Sequence, residues 1–308
     1  VNNIIKESVN RGDKLLIVKN RVRDAQEIYN YLIANYPNLR KRIVLLHSRF
    51  KRGQRNKLEN ILYKLNKESK PCIVVSTQVV EVSLDISFDS LITACSPIDS
   101  LIQRMGRVNR KRIKYNIFKI WYEEKIKKNI FFRYKPVYII QPPDKPIDCL
   151  PYTKDVLDKT YHILPDGELI QEKNIQNLLD NVYGDVDMTH YHDISGDSIY
   201  RENDGFTYKK LYHRRKGDLL SELQILTTNA ILEKDRDKYC NATTEEKISL
   251  EIPVMYHSLD IGGGRIRTFG QLDFFHKPFI IPDWHYNNET GLLHPNDIQL
   301  PNQSATFL

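Results

Sequence analysis

Short apolar runs alternate with amphipathic stretches along the first 140 residues of the chain. Residues 14–19 (KLLIVK), 42–47 (RIVLLH), 71–76 (PCIVVS) and 90–94 (SLITA) lack the apolar–polar alternation of a half-exposed strand. They predict strands buried on both faces. Between them, Val22, Ala25, Ile28, Tyr29, Leu32 and Ile33 fall at helical spacing, and Pro37 ends the pattern. Residues 51–65 predict a strongly basic helix with Leu58, Ile61, Leu62 and Leu65 on one side. A further helix is predicted over 100–109, and further strands over 115–122 and 137–140. Strands alternating with helices and joined by right-handed crossovers specify an α/β fold, a parallel sheet flanked by helices.

Ligands of such sheets gather beyond the carboxyl ends of the strands. The segments leaving those ends therefore carry the chemistry. Asn20-Arg-Val-Arg23 leaves the first strand, Ser48-Arg49-Phe50 the second, and Thr77-Gln78 the third, leading to Glu81-Val-Ser-Leu-Asp85. The segment after the fourth holds Gln103-Arg-Met-Gly-Arg107-Val-Asn-Arg110. One rim is thus rich in amides, hydroxyls and guanidinium groups, a chemistry suited to phosphates. In a helix, Gln103, Arg107 and Arg110 share one face, and Leu101, Met105 and Val108 form an anchoring stripe on another.

Composition divides the chain in two. Of its 308 residues, the first 140 carry 29 Lys and Arg against 12 Asp and Glu, a balance of +17. The remaining residues balance at −10, giving +7 for the whole. This split predicts two domains, 1–140 and 141–308, the first attractive to polyanions. Hydrophobic residues at 41% exclude disorder, and no apolar run reaches the roughly 18 residues of a membrane span. No leader is visible at Val1, and the cysteines Cys72, Cys95, Cys149 and Cys240 contain no CxxC pair. Cys72 and Cys95, in or beside apolar runs, read as buried thiols, and a reducing cytoplasmic setting is the expectation, with no metal site. His190-x-His192-Asp193 lacks partners at useful spacing and reads as a surface loop.

The ordered segments 76–85 (STQVVEVSLD) and 97–110 (PIDSLIQRMGRVNR) resemble the second RecA-like lobe of superfamily 2 helicases. More narrowly, they resemble the signature helicase-nuclease of type I CRISPR systems, with residues 17–20 (IVKN) and 47–50 (HSRF) as its earlier motifs. The resemblance covers about residues 10 to 125. It implies that Arg107 and Arg110 reach the γ-phosphate of ATP and that Gln103 contacts the nucleotide or couples it to the strand. It places Asp85 at the ribose and Ser83 close by. Thr77 and Gln78 would contact the DNA backbone, with Asn20, His47, Ser48 and Arg49 along a single-strand track. Helix capping and turn formation are the plainer roles for Thr77 and Asp85. Glu81 suits either a buried pair or a nucleotide contact.

No G-x-x-x-x-G-K-[ST] phosphate cradle, Asp-Glu-x-His segment or His-Asp nuclease cluster occurs in the chain. ATP with Mg²⁺ would therefore be held mainly by a first lobe absent from this sequence. The chain is expected to be a piece of a longer helicase, or one lobe needing a partner chain, and inactive alone. Single-stranded DNA, the first lobe, a nuclease domain and a CRISPR surveillance complex are the implied partners. Two alternatives stay open: a lobe of another superfamily 2 enzyme (a restriction-type translocase or an RNA helicase), and a non-enzymatic nucleic-acid-binding module.

The second half predicts a smaller mixed accessory domain after a linker at 141–146, with helices over 153–164 and 171–183. Residues 208–216 form a basic patch that either tracks a nucleic-acid backbone or is a solvated face. The aromatic and proline-rich segment 278–284 suits packing against another domain.

Overall fold

The computed structural model describes residues 1–68, 70–83, 85–108, 135–168, 170, 174–183, 200–201, 205–206, 227–260, 264–272 and 278–293. Four buried runs and a half-buried fifth form one parallel sheet. β1 (Lys14–Val18), β2 (Ile43–Leu46), β3 (Cys72–Ser76), β4 (Ser90–Ala94) and β5 (Val137–Ile140) lie in the order β2-β3-β1-β4-β5. Because side chains alternate across a strand, Leu15, Ile17, Ile43, Leu45, Ile73 and Val75 fill one face. There they meet Ile5 of α1 (Asn2–Arg11) and Ala25, Tyr29 and Leu32 of α2 (Val22–Asn35). Leu16, Val18, Val44, Leu46, Cys72 and Val74 fill the other face, against Leu62 and Leu65 of α3 (Arg52–Lys67).

The next two helices, α4 (Val79–Ser83) and α5 (Ile98–Met105), succeed β3 and β4 at the rim. α5 is shorter than its predicted range. The chain turns at Gly106, and Val108 pairs with Phe88 instead of continuing the helix. The strand expected over 115–122 lies outside the described residues, as do the His190–Asp193 segment and the basic patch over 208–216. α6 (Lys154–Ile163) and α7 (Ile175–Tyr183) then pack beside the sheet's end, where Cys95, Cys149 and Leu157 form a small buried cluster. Burial raises the Cys72 thiol to about 11 and the Cys95 thiol to about 12, so both stay protonated.

The C-terminal part adds a two-stranded hairpin, β6 (Tyr200–Arg201) with β7 (Gly205–Phe206), and a mixed sheet. In the latter, β8 (Thr227–Leu232) pairs antiparallel with β9 (Ile252–Met255) and parallel with β10 (Phe279–Ile281). α8 (Arg236–Asn241) and α9 (Thr244–Leu250) link β8 to β9, and a Thr243–Glu246 capping box starts α9. One apolar cluster runs through both parts: Ala230, Leu232, Ile252, Val254, Phe279 and Ile281 belong with Ile17 and Phe50. The change of charge at residue 140 is therefore not a break in the core.

A tight hairpin, β11 (Tyr286–Asn287) with β12 (Gly291–Leu292), docks on the loop that leaves β2. Leu292 donates its backbone N–H to the Arg49 carbonyl (2.9 Å), and Gln26 Nε2 donates to the carbonyls of Thr290 (2.6 Å) and Leu292 (3.0 Å). The His47 ring lies fully buried between these parts, stacked on Phe50 at 4.4 Å. Its Nδ1 accepts from the Arg49 N–H at 3.1 Å, so Nε2 carries the proton donated to the Thr290 carbonyl at 2.9 Å. That pattern requires a neutral ring, and burial lowers its pKa to about 3.

This junction can be tested at a glycine and at a histidine. Gly291 has φ +76°, and an added Cβ would fall 2.7 Å from His47 Cε1 and 2.8 Å from the Arg49 carbonyl oxygen. Gly291→Ala should cost about 2 kcal/mol or more, combining left-handed backbone strain with overlap. Gly270→Ala, with φ +93° but nothing within 4 Å, should cost distinctly less when both are compared by chemical denaturation. The histidine makes stability depend on pH. The unfolded His47 takes a proton near 6.5, whereas the folded ring does so only near 3. Its contribution is complete above the unfolded value and is lost as pH falls through this window. Going from pH 7 to pH 5 should remove about 2 kcal/mol of this contribution, and His47→Gln should lessen the fall in stability over that range, the rest coming in part from His285, which burial lowers to about 4.

Candidate functional site: a guanidinium network at the carboxyl rim

The carboxyl ends of β1, β3 and β4 meet at one place, and Arg104 fills it. This side chain has no exposed surface. α5 carries it on the same side as Ile98 and Leu101, at spacings of three, so the packing that seats the helix also drives the guanidinium inward. A bare buried cation is very costly, and every arm of this one is engaged. Nε donates to Glu81 Oε1 at 2.8 Å. Nη1 donates to Thr93 Oγ1 (2.9 Å), the Ala94 carbonyl (3.1 Å) and Asn20 Oδ1 (3.1 Å), and Nη2 also reaches Asn20 Oδ1 (3.1 Å). Glu81 supplies the balancing charge from α4, which Val80 anchors in the core.

Asn20 and Gln78 extend the network. Asn20 Nδ2 donates to the Cys95 carbonyl at 2.7 Å, and the Asn20 carbonyl accepts from Gln78 Nε2 at 2.9 Å. Gln78 also lies 3.5 Å from the Tyr152 hydroxyl. Thr77 is 2% exposed, and its carbonyl accepts the Val80 N–H that opens α4. On the other side of Glu81, Arg107 Nη2 donates to the Glu81 backbone carbonyl. Arg107 is 8% exposed, and its own carbonyl accepts from the Phe88 N–H at 3.0 Å. Glu81 is thus gripped twice, by its carboxylate and by its backbone.

Several expected placements change. Gln103 and Arg107 do not share a helical face, because α5 ends at Met105; Gln103 is exposed, and the Arg110 expected beside them lies outside the described residues. His47 cannot line a strand track, since the C-terminal hairpin covers its ring completely. The Asn20 amide is occupied by Arg104 and Cys95, which makes it an internal brace. Ser48 and Asp85 are exposed, and Arg49 is half-buried, with burial holding its guanidinium below the usual arginine range. The backbone of Ser83 closes α4. Arg104 is a functional candidate that motif reading passes over. Its signal in the sequence is the spacing Ile98–Leu101–Arg104 together with one carboxylate, Glu81, in an otherwise apolar segment.

The donor set is one of guanidinium, amide and hydroxyl groups, which suits an anion. Among the described residues there is no group of three His, Cys, Asp or Glu side chains able to hold a metal ion. Nor is any helix among them long and apolar enough to cross a membrane.

Comparison with known proteins gives this geometry its setting. Residues 11–113 match the family described as "CRISPR-associated nuclease/helicase Cas3, C-terminal". A putative CRISPR-associated nuclease/helicase Cas3 from Methanocaldococcus jannaschii is 33% identical over 196 residues, covering 61% of this chain and 24% of that protein. The CRISPR-associated nuclease/helicase Cas3 of Streptococcus thermophilus is 39% identical over 117 residues, 36% of this chain and 12% of the relative. Among solved structures, T. fusca Cas3 with AMPPNP superposes over 95% of this chain and 40% of its own, with a TM-score of 0.64 at 18% identity. At that identity the likeness shows the fold, a RecA-like lobe with an accessory domain. The chain spans about a quarter or less of the length of these curated relatives. Residues 11–113, which hold the whole guanidinium network, are thus similar to the C-terminal portion of Cas3-type helicases.

Proposed function

We propose that this chain is the second motor lobe, with accessory domain, of an ATP-dependent single-stranded DNA translocase of CRISPR interference. The observation that carries this reading is the joint grip of Arg104 and Arg107 on Glu81 at the carboxyl ends of the strands. It puts a preorganised guanidinium at the rim where a phosphate of a neighbouring lobe would dock. Arg107 and Arg110 would stabilise charge developing on the γ-phosphate, the role of arginine fingers in phosphoryl transfer. Gln103, exposed one turn before Arg107, would meet the nucleotide, with Asp85 at the ribose and Ser83 beside it. Mg²⁺, when bound, neutralises phosphate charge. The residues here suit the anion, so ATP and the ion belong mainly to a first lobe.

Gln78, Ser48 and Arg49 would face the DNA backbone, binding phosphate without reading sequence, while the buried Thr77 supports the turn into α4. The curated relatives' names, nuclease/helicase, support the motor assignment and a nuclease domain in the same or another chain. A structural neighbour is a CRISPR RNA-guided surveillance complex before nicking, with a TM-score of 0.60 over 95% of this chain. It supports such a complex as the partner.

In the intact helicase, Arg107→Ala and Arg110→Ala should each lower DNA-stimulated ATP turnover by about 10³-fold or more. Full turnover in either variant would remove it from the finger role, and full turnover in both would sink the motor reading. The chain alone should hydrolyse ATP negligibly with or without single-stranded DNA, measured as phosphate release. Robust release would show that the phosphate cradle is not needed. RNA in place of DNA should stimulate the intact helicase poorly; equal stimulation favours an RNA helicase.

A further inference from the structure

Arg104 stands between the two surfaces that the motor reading separates. Gln78 Nε2 holds the Asn20 carbonyl, Asn20 Oδ1 accepts from both Nη groups of Arg104, Arg104 Nε holds Glu81, and the Glu81 carbonyl accepts from Arg107. Each link is a direct hydrogen bond. The series begins at a residue assigned to the DNA backbone and ends at one assigned to the γ-phosphate. Its middle members come from three separate segments, after β1, β3 and β4, and the Arg104 guanidinium ties all three together.

Stability alone gives no reason to keep this arrangement. Replacing a buried ion pair with well-packed apolar groups is often neutral or stabilising. What a charged, multiply bonded group does supply is discrete geometry. If the loop after β1 or β3 shifts on binding a strand, Arg104 must re-pair, and Glu81 and the Arg107 side chain must move with it. Packed, fully bonded networks switch between arrangements and do not deform smoothly.

Resting on the motor reading above, we propose that Arg104 is a positioning residue that couples DNA engagement at the Asn20–Gln78 side to the placement of Arg107 at the phosphate. It touches neither DNA nor nucleotide and acts only through its partners.

The test uses the intact helicase, with ATP turnover measured with and without single-stranded DNA. Arg104→Met fills the site with apolar atoms. The expected result is a ratio of DNA-stimulated to DNA-free turnover reduced about tenfold or more, within the usual range of coupling between sites, while the KM for ATP changes far less. An unchanged ratio overturns the proposal. So does a fall of both rates by one common factor, which is what a merely structural residue would give. If Arg104→Met does not fold, Thr93→Val carries the same test, since it removes one acceptor of Nη1 and keeps the side chain's shape. The ratio should fall measurably in Thr93→Val, and an unchanged ratio again overturns the proposal. A wild-type helicase with no DNA stimulation, or one whose Arg107→Ala and Arg110→Ala variants keep full turnover, sinks the motor reading instead, and this proposal with it on separate grounds.

Discussion

The carboxyl rim of this lobe is organised around a cation with no access to water. Arg104 is fully buried, and desolvation of a guanidinium is tolerable only when its donors are matched. That requirement fixes the surroundings. Glu81 must face inward, so the short α4 is oriented by charge as well as by Val80 in the core. Asn20 must present its oxygen, which sets the chain leaving β1, and Thr93 must turn its hydroxyl toward the helix. Three loops that are separate in sequence thereby share one geometry.

The second constraint comes from the C-terminal part. Its sheet completes the core on one face of the parallel sheet, and its last hairpin closes over His47 and Phe50. Glycine is required at 291 because the backbone takes a left-handed turn against that imidazole. The loop after β2 is therefore held from both sides: by its own strand, and by a segment far along the chain. Whatever Ser48 and Arg49 contact, they do so from a rigid support, which favours defined positioning of a flexible ligand.

Most of the parallel sheet was legible because its strands are buried on both faces and read as continuous apolar runs. β1 to β4 come directly from such runs. The end of α5 was not, because helical spacing continues through Val108 in the sequence while the chain turns at Gly106 to pair with Phe88. The identity of the buried arginine was hidden for a related reason. Gln103-Arg104-Met-Gly-Arg107 offers two guanidinium groups three apart, and their roles depend on which one lies under Ile98 and Leu101. His47 shows the limit of local reading most clearly. Its motif position points to a ligand track, but its fate is set by Thr290, 243 residues further on.

The division of charge that first suggested two domains takes a different meaning once these contacts are in place. Acidic side chains of the second half meet basic ones of the first in Lys51–Asp235 (2.6 Å), Arg40–Glu289 (2.9 Å) and Arg21–Asp148 (2.9 Å). The last two are substantially exposed, and such pairs contribute little to stability. Lys51–Asp235 is mostly shielded, with 14% and 15% of the side chains exposed, and Lys51 also donates its backbone N–H to the Tyr286 hydroxyl. The apolar cluster supplies the adhesion, and this shielded pair fixes the register in which the parts meet. The acidic balance of the second half thus offsets part of the basic charge of the first where the two meet.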